Sequence, residues 1–227
     1  MNFHLLDALR HLFRERGHAA RGRRRAEARP LAVKRRCSHR AACGAVLTLI
    51  TKAKGVSFDR ANLEGTSITD SSMQQASFIE TNLRDVRVED VNLSGSYWQG
   101  VQTRGMAFVD SWLTNTFLVG VNFDGVNMNG PCRLQGADLG YARFTNAMLQ
   151  ELQLEGAKAT GASFENSKMN VADFTRALLD GASFRQTILT DATFHAADIN
   201  ECDLTSAVGV DKASFLNVIG TPIRLVG

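Results

Sequence analysis

No stretch of the 227 residues approaches the ~20 consecutive apolar residues of a membrane-spanning helix, so none reads as a bilayer-crossing segment. Cysteine is scarce. The four present give no disulfide framework, and reduced thiols in a cytoplasmic setting are expected. Cys37 and Cys43, with His39 between them, have an unusual spacing for a metal site and no second ligand pair follows, so no metal is expected there. Histidine numbers five. His4, His11, His18 and His39 lie in a basic leader and His195 lies alone, which leaves no Ser–His–Asp or Cys–His arrangement to propose. Neither the 3.6-residue period of an amphipathic helix nor the two-residue period of a strand runs through residues 56–206.

What runs there instead is a period of five. A large residue returns at Phe58, Leu63, Ile68, Met73, Phe78 and onward to Met128, and after one extra residue again from Leu134 to Leu204. Two places before each stands a small or β-branched residue, for example Ala61, Ala76, Ala137 or Ala182. Thirty pentapeptides result, fifteen on each side of the interruption at 129–133, and only Thr103 and Ala159 are weak centres. A chain that turns a corner every five residues closes a square coil with four pentapeptides, and such coils stack through backbone hydrogen bonds. Seven and a half coils at roughly 4.8 Å each predict a rod on the order of 36 Å long. The large residue and its small companion point inward, alternating because a narrow tube has little room. Cys132 and Cys202 occupy the small inward place, as compact fillers. Gly65, Gly95, Gly100, Gly120, Gly125, Gly156, Gly161 and Gly181 fall at corners, where a sharp turn favours glycine, and are not phosphate loops. The interruption is expected to be a bulge at one corner and not a domain boundary, since the same columns resume after one added residue.

ANLEG at 61, TNLRD at 81, VNLSG at 91, VNFDG at 121, ADLGY at 137 and CDLTS at 202 resemble the pentapeptide-repeat family, whose pattern is a small residue, Asp or Asn, Leu or Phe, then two polar residues. The resemblance covers about two thirds of the chain and implies an all-β fold, a right-handed parallel β-helix of four sides. It says little about function, because members range from topoisomerase-protecting proteins to bacterial effectors.

The net charge of +3 conceals an asymmetry. Residues 1–55 carry fourteen Lys and Arg against three acids, and residues 56–227 carry twelve against twenty. The expected organisation is a basic extension over 1–44, an N-terminal cap over 45–55, the β-helix over 56–206 and a C-terminal cap over 207–227. Within the extension, residues 2–16 place Leu5, Leu6, Leu9, Leu12 and Phe13 on one side at helical spacing, with Arg10, Arg14 and Arg16 elsewhere, which predicts a short amphipathic helix. Residues 21–40 are Arg- and Ala-rich without apolar periodicity and are expected to be a disordered tail. The run AVLTLITK at 45–52 suits a short strand or helix over the open end of the rod. Four roles fit residues 1–40: an organelle transit peptide, though Ser-poor; a helix for a membrane surface or an acidic partner; a nucleic-acid tail at 23–25 and 34–36; or a solvated leader translated from a start assigned too far upstream.

Function is expected on the outside of the rod, with no enzyme activity, cofactor or small-molecule substrate. Residues twenty apart stack, which puts Asp70, Asp90 and Asp110 in one column, adjoined by Glu89 and continued by Glu151; it is either solvated surface or a landing strip for a basic partner. Tyr97 and Phe117 occupy the second repeat place, usually Asp, Asn or Ser, and point outward. Val119 and Tyr141 share their face and Trp112 lies on the preceding one, so together they make a candidate apolar interface. The favoured function is a non-catalytic protein-interaction rod resembling bacterial effector-type members, with the leader as its targeting or anchoring element and a protein partner. The alternative is an acidic rod that imitates DNA and regulates a topoisomerase. Direct nucleic-acid binding is not expected. The location follows as bacterial cytoplasm or a secreted effector, or an organelle if 1–40 is a transit peptide.

Overall fold

Corners set this architecture. The structure, a computed structural model, describes residues 46–50, 53–128 and 130–223. The leader, with its expected helix at 2–16, its Arg-rich tail and Cys37, His39 and Cys43, lies outside them. The residue two places after every large centre has a positive φ, from Arg60 at 58° to Ser206 at 58°. At most corners the centre's carbonyl accepts from the N–H three residues on, as Phe58 does from Ala61 at 2.9 Å. This is the arrangement of a type II turn, whose third residue must be left-handed. Glycine is the cheap occupant, but Val171 sits there too, at φ 60°.

Turning every five residues brings residue 20 places on directly above. Ser57 pairs in parallel with Ser77, Ser77 with Tyr97, and Asn62 with Asn82. Phe58 N–H donates to the Ser77 carbonyl at 2.8 Å, while Ser77 N–H donates to Val56 at 2.9 Å, so each face is laced to the next coil in both directions. On one face these ladders lengthen into strands β1 (Val46–Thr48), β2 (Ser67–Ser72), β3 (Arg87–Asn92) and β4 (Ala107–Val109), which form a parallel sheet in sequence order. The fold is thus a four-sided parallel β-helix, and the run at 45–52 contributes its first rung through Val46↔Ser67.

Every centre from Phe58 to Leu204 is buried. Phe123, Phe144, Phe164 and Phe184 stack as one ladder, with successive ring centroids 5.2, 5.4 and 5.1 Å apart. Large rings neighbour the two weak centres along the chain. The Trp98 indole comes within 6.1 Å of both Phe108 and Phe123, beside small Thr103, and donates to Ser96 Oγ at 2.7 Å. Near Ala159, Phe164 and Phe174 meet edge-on at 5.9 Å. The small inward place also has a polar use. Thr81 and Thr187 hydroxyls donate to the centre carbonyls of Phe58 and Phe164, 2.8 and 2.6 Å away, and Cys202 Sγ does the same to Leu179 at 3.0 Å.

The interruption is a bulge. Ala107 pairs with Asn127, twenty on, whereas Trp112 pairs with Arg133, twenty-one on, and the spacing of twenty returns at Arg133↔Gln153. Gly130 supplies φ 88° and its carbonyl accepts from Cys132 N–H at 2.7 Å. A second added residue is taken up by the 3-10 turn Val210–Lys212, beyond which the coils continue: Phe215 stacks on Phe194 at 4.8 Å and Ile219 pairs with Asp198.

Candidate functional site

Because a second-place residue must point outward, an aromatic there has nothing of its own coil to pack against. Tyr97 and Phe117 are 48% and 46% exposed. They are register partners, and their rings lie parallel, 2° apart, with centroids at 4.6 Å. Val119 and Tyr141 are also exposed. They flank one inter-coil hydrogen bond, Gly120 N–H to the Gly140 carbonyl at 2.8 Å, which places them on adjacent coils of the same face. The Tyr141 ring reaches over the next coil at Gly161, where an added Cβ would lie 2.7 Å from it. Tyr97, Phe117, Val119 and Tyr141 therefore form one outward apolar strip.

Trp112 stays out of this strip. It is half-buried on the neighbouring face, under the Arg133 guanidinium at 5.6 Å from the ring centroid, a cation–π contact supplied by the next coil.

Carboxylates lie beside the strip. Asp138 is the register partner that follows Phe117. At the other end Glu80 leans over the coil of Tyr97, its Cγ 3.6 Å from where Gly100 would carry a Cβ, while it holds Arg60 at 2.9 Å.

The acidic column also stacks as the period requires. Asp70, Asp90 and Asp110 are exposed at left-handed corners, φ 48°, 53° and 47°. At these corners serine hydroxyls link the coils: Ser111 Oγ accepts from Val91 N–H at 3.3 Å and donates to Val109 at 2.8 Å, and Ser71 does likewise for Ile50 and Thr69. Glu89 is answered within its own strand by Arg87 at 3.1 Å. Gly130 follows Asp110 and interrupts the column before Glu151.

Some exposed apolar residues escaped the sequence reading. Leu178 stands in the column of Tyr97 and Phe117, beyond Asp138 and Lys158, and the second-place rule was enough to find it. Val208 follows from the same rule, twenty places after Ile188, whereas Leu216 and Ile219 lie beyond the added residue near 210, which hides their register. Among the described residues, Cys132 and Cys202 are free and buried. Burial pushes Cys132 up to about 11 and Cys202 up to about 12.

Comparison with known proteins bears on this geometry. A model of pentapeptide repeats matches residues 57–95, 132–166 and 167–205, in eight copies. Among solved structures, the chain resembles a trypsin-treated variant of QnrB1, a plasmid-mediated fluoroquinolone resistance protein. The TM-score is 0.61 at 19% identity, over 77% of this chain and 91% of that one. HetL, a pentapeptide repeat protein involved in heterocyst differentiation regulation in the cyanobacterium Nostoc, aligns at 18% identity and a TM-score of 0.28, over 76% of this chain and 90% of that one. A pentapeptide repeat protein of the Arabidopsis thaliana thylakoid lumen aligns at 23% identity and 0.24, over 56% of this chain and 67% of that one. Among curated protein sequences none matches.

Proposed function

Since the chain belongs to the pentapeptide-repeat family, we propose that it is a non-catalytic protein-interaction rod and that its binding face is the strip of Tyr97, Phe117, Val119 and Tyr141. The observation that carries this reading is the exposed, parallel Tyr97–Phe117 pair, at a repeat place that elsewhere holds Asn62, Asn82 or Ser77. Large rigid aromatics give up little conformational entropy on binding and dominate the energetics of protein interfaces. Catalysis has no part in this reading: the interior is filled by the rod's own rings, and the titratable groups are spread along its faces. The rod acts as an effector-type adaptor, with residues 1–44 addressing or anchoring it in the bacterial cytoplasm or in a cell to which it is delivered.

Replacing Tyr97, Phe117 and Val119 together with Ser tests this. The thermal midpoint is expected to stay within a few degrees of the parent, because no buried group is touched, while capture of protein partners from lysate falls at least tenfold. Undiminished capture by a folded triple variant refutes the reading.

A second reading, an acidic rod for a basic partner such as a topoisomerase surface, draws support from the Asp70–Asp90–Asp110 column. Its binding would be salt-sensitive, and Asp→Asn at all three positions would weaken it at low ionic strength only. Binding by that variant equal to the parent's at low salt removes this reading.

A further inference from the structure

The face that bears the strip carries its own complement. Parallel pairing stacks Tyr97, Phe117, Asp138, Lys158, Leu178 and Asp198 in one outward column on successive coils. Around the middle of this column an acid and a base stand side by side, with one large apolar residue beyond each. We propose that the face is a homodimer interface, in which two rods lie antiparallel about a two-fold axis between the coils of Asp138 and Lys158. The proposal rests on the strip being an interface and assigns its occupant, a second copy of this chain.

Charge and register select this arrangement. About that axis every contact is made twice. Asp138 meets Lys158 of the second copy, Phe117 meets its Leu178, and the Tyr97 hydroxyl comes opposite its Asp198 carboxylate. Phe117 and Leu178 are equally exposed, at 46% each, so each offers the other a similar apolar surface. Asp138 and Lys158 have no ion-pair partner among the described residues. Sliding one copy by one coil sets Asp138 against Asp138 or, in the other direction, Lys158 against Lys158, and parallel rods do both. Like charges set against each other are costly, so they reject the wrong register. At the edge of the face the two Tyr141 rings come together near the axis over Gly161, where a side chain would obstruct them. Val119 comes opposite Asp180 at the same edge, a weaker match.

The area is modest. Ser77 to Ile219 spans eight coils of this face. At about 4.8 Å per coil and about 13 Å across, the patch offers roughly 500 Å² per copy, near 1,000 Å² in all. That is the lower end for a specific interface and fits a dissociation constant on the order of 10–100 µM. A protein partner for the strip then competes with the second copy.

Sedimentation velocity of the full chain over a concentration series tests this through a charge swap. The parent is expected to show a monomer–dimer equilibrium. Asp138→Lys sets lysine against lysine at both sites of the dimer, and Lys158→Asp sets acid against acid. Each is expected to raise the dissociation constant at least tenfold. The double variant Asp138→Lys/Lys158→Asp restores opposite charges and is expected to return to within about threefold of the parent. The second repeat place already accepts both Asp138 and Lys158, so all three variants are expected to fold, and melting curves verify this. A parent that stays monomeric up to ~500 µM overturns the proposal. So does a dimer indifferent to Asp138→Lys, since the copies then meet elsewhere, or a folded double variant that fails to regain the dimer. A monomeric parent whose Tyr97→Ser/Phe117→Ser/Val119→Ser variant still loses partner capture refutes self-association and leaves the interaction face standing.

Discussion

Phe164→Ala is the most searching test of the stacked core. The Phe164 ring is fully buried, sandwiched between Phe144 at 5.4 Å and Phe184 at 5.1 Å, and touched edge-on by Phe174 at 5.9 Å. Truncating a buried Phe to Ala costs about 3–5 kcal/mol, the spread reflecting how far the site can collapse. Here collapse is blocked. The coils above and below are held apart by backbone bonds, Phe164 N–H to Ser183 at 2.8 Å and Ser183 N–H to Ala162 at 2.9 Å, and the preceding centre is already Ala159. The cost therefore belongs near the upper end, about 4–5 kcal/mol. With ~2–4 °C of melting temperature per kcal/mol for a domain of this size, the expected fall is on the order of 10–20 °C. A defect in the middle of a solenoid also weakens coupling between its halves, so the transition should broaden. Circular dichroism melts of the full-length parent and variant measure both. A fall under about 3 °C would mean that the ring is not a stacked core element, and the inward register of the whole second half would be wrong.

Two further outcomes follow from the same geometry. Gly161→Ala and Gly181→Ala meet left-handed corners of φ 64° and 66°, and each should cost about 1 kcal/mol from backbone strain. Only at Gly161 does the new methyl meet the Tyr141 ring, so only that variant should change the oxidation rate of Tyr141, and an equal change in both would refute the placement of the ring. The buried thiols give a pH dependence. Burial raises Cys132 to about 11 and Cys202 to about 12, against ~8.5 for an unfolded thiol, so the folded state holds their protons more tightly. Their contribution to stability is intact below the unfolded value and is lost as pH rises from there through 11–12. At pH 8 a disulfide-exchange reagent should modify both only as fast as the chain unfolds; modification of either within minutes in the folded state contradicts their burial.

The architecture was legible because the sequence repeats its instructions. Each pentapeptide states which residue is inside, and the stacking of Phe123, Phe144, Phe164 and Phe184 follows from arithmetic alone, as does the pairing of Tyr97 with Phe117. The same counting rule, applied to Leu178, identifies an exposed residue that composition would place in the core. The rule fails where a residue is added without a glycine–proline signal. Near Val210 the beat fades, yet Phe215 rejoins the ladder of Phe174 and Phe194.

Side-chain reach lies beyond counting. A repeat fixes the column in which Trp112 starts but not that Arg133, one coil on, covers it, because a long side chain chooses its contact from three-dimensional neighbours. Nor does spacing reveal that the Trp98 indole meets Phe108 and Phe123 at 6.1 Å, or that Tyr141 lies across Gly161. The sequence by itself determined the period, and with it the inside, the outside and the vertical neighbours, since backbone turns recur regardless of which side chains they carry. Only the tertiary structure decided which outward groups remain bare, because that depends on how far each side chain extends to cover the coil beside it.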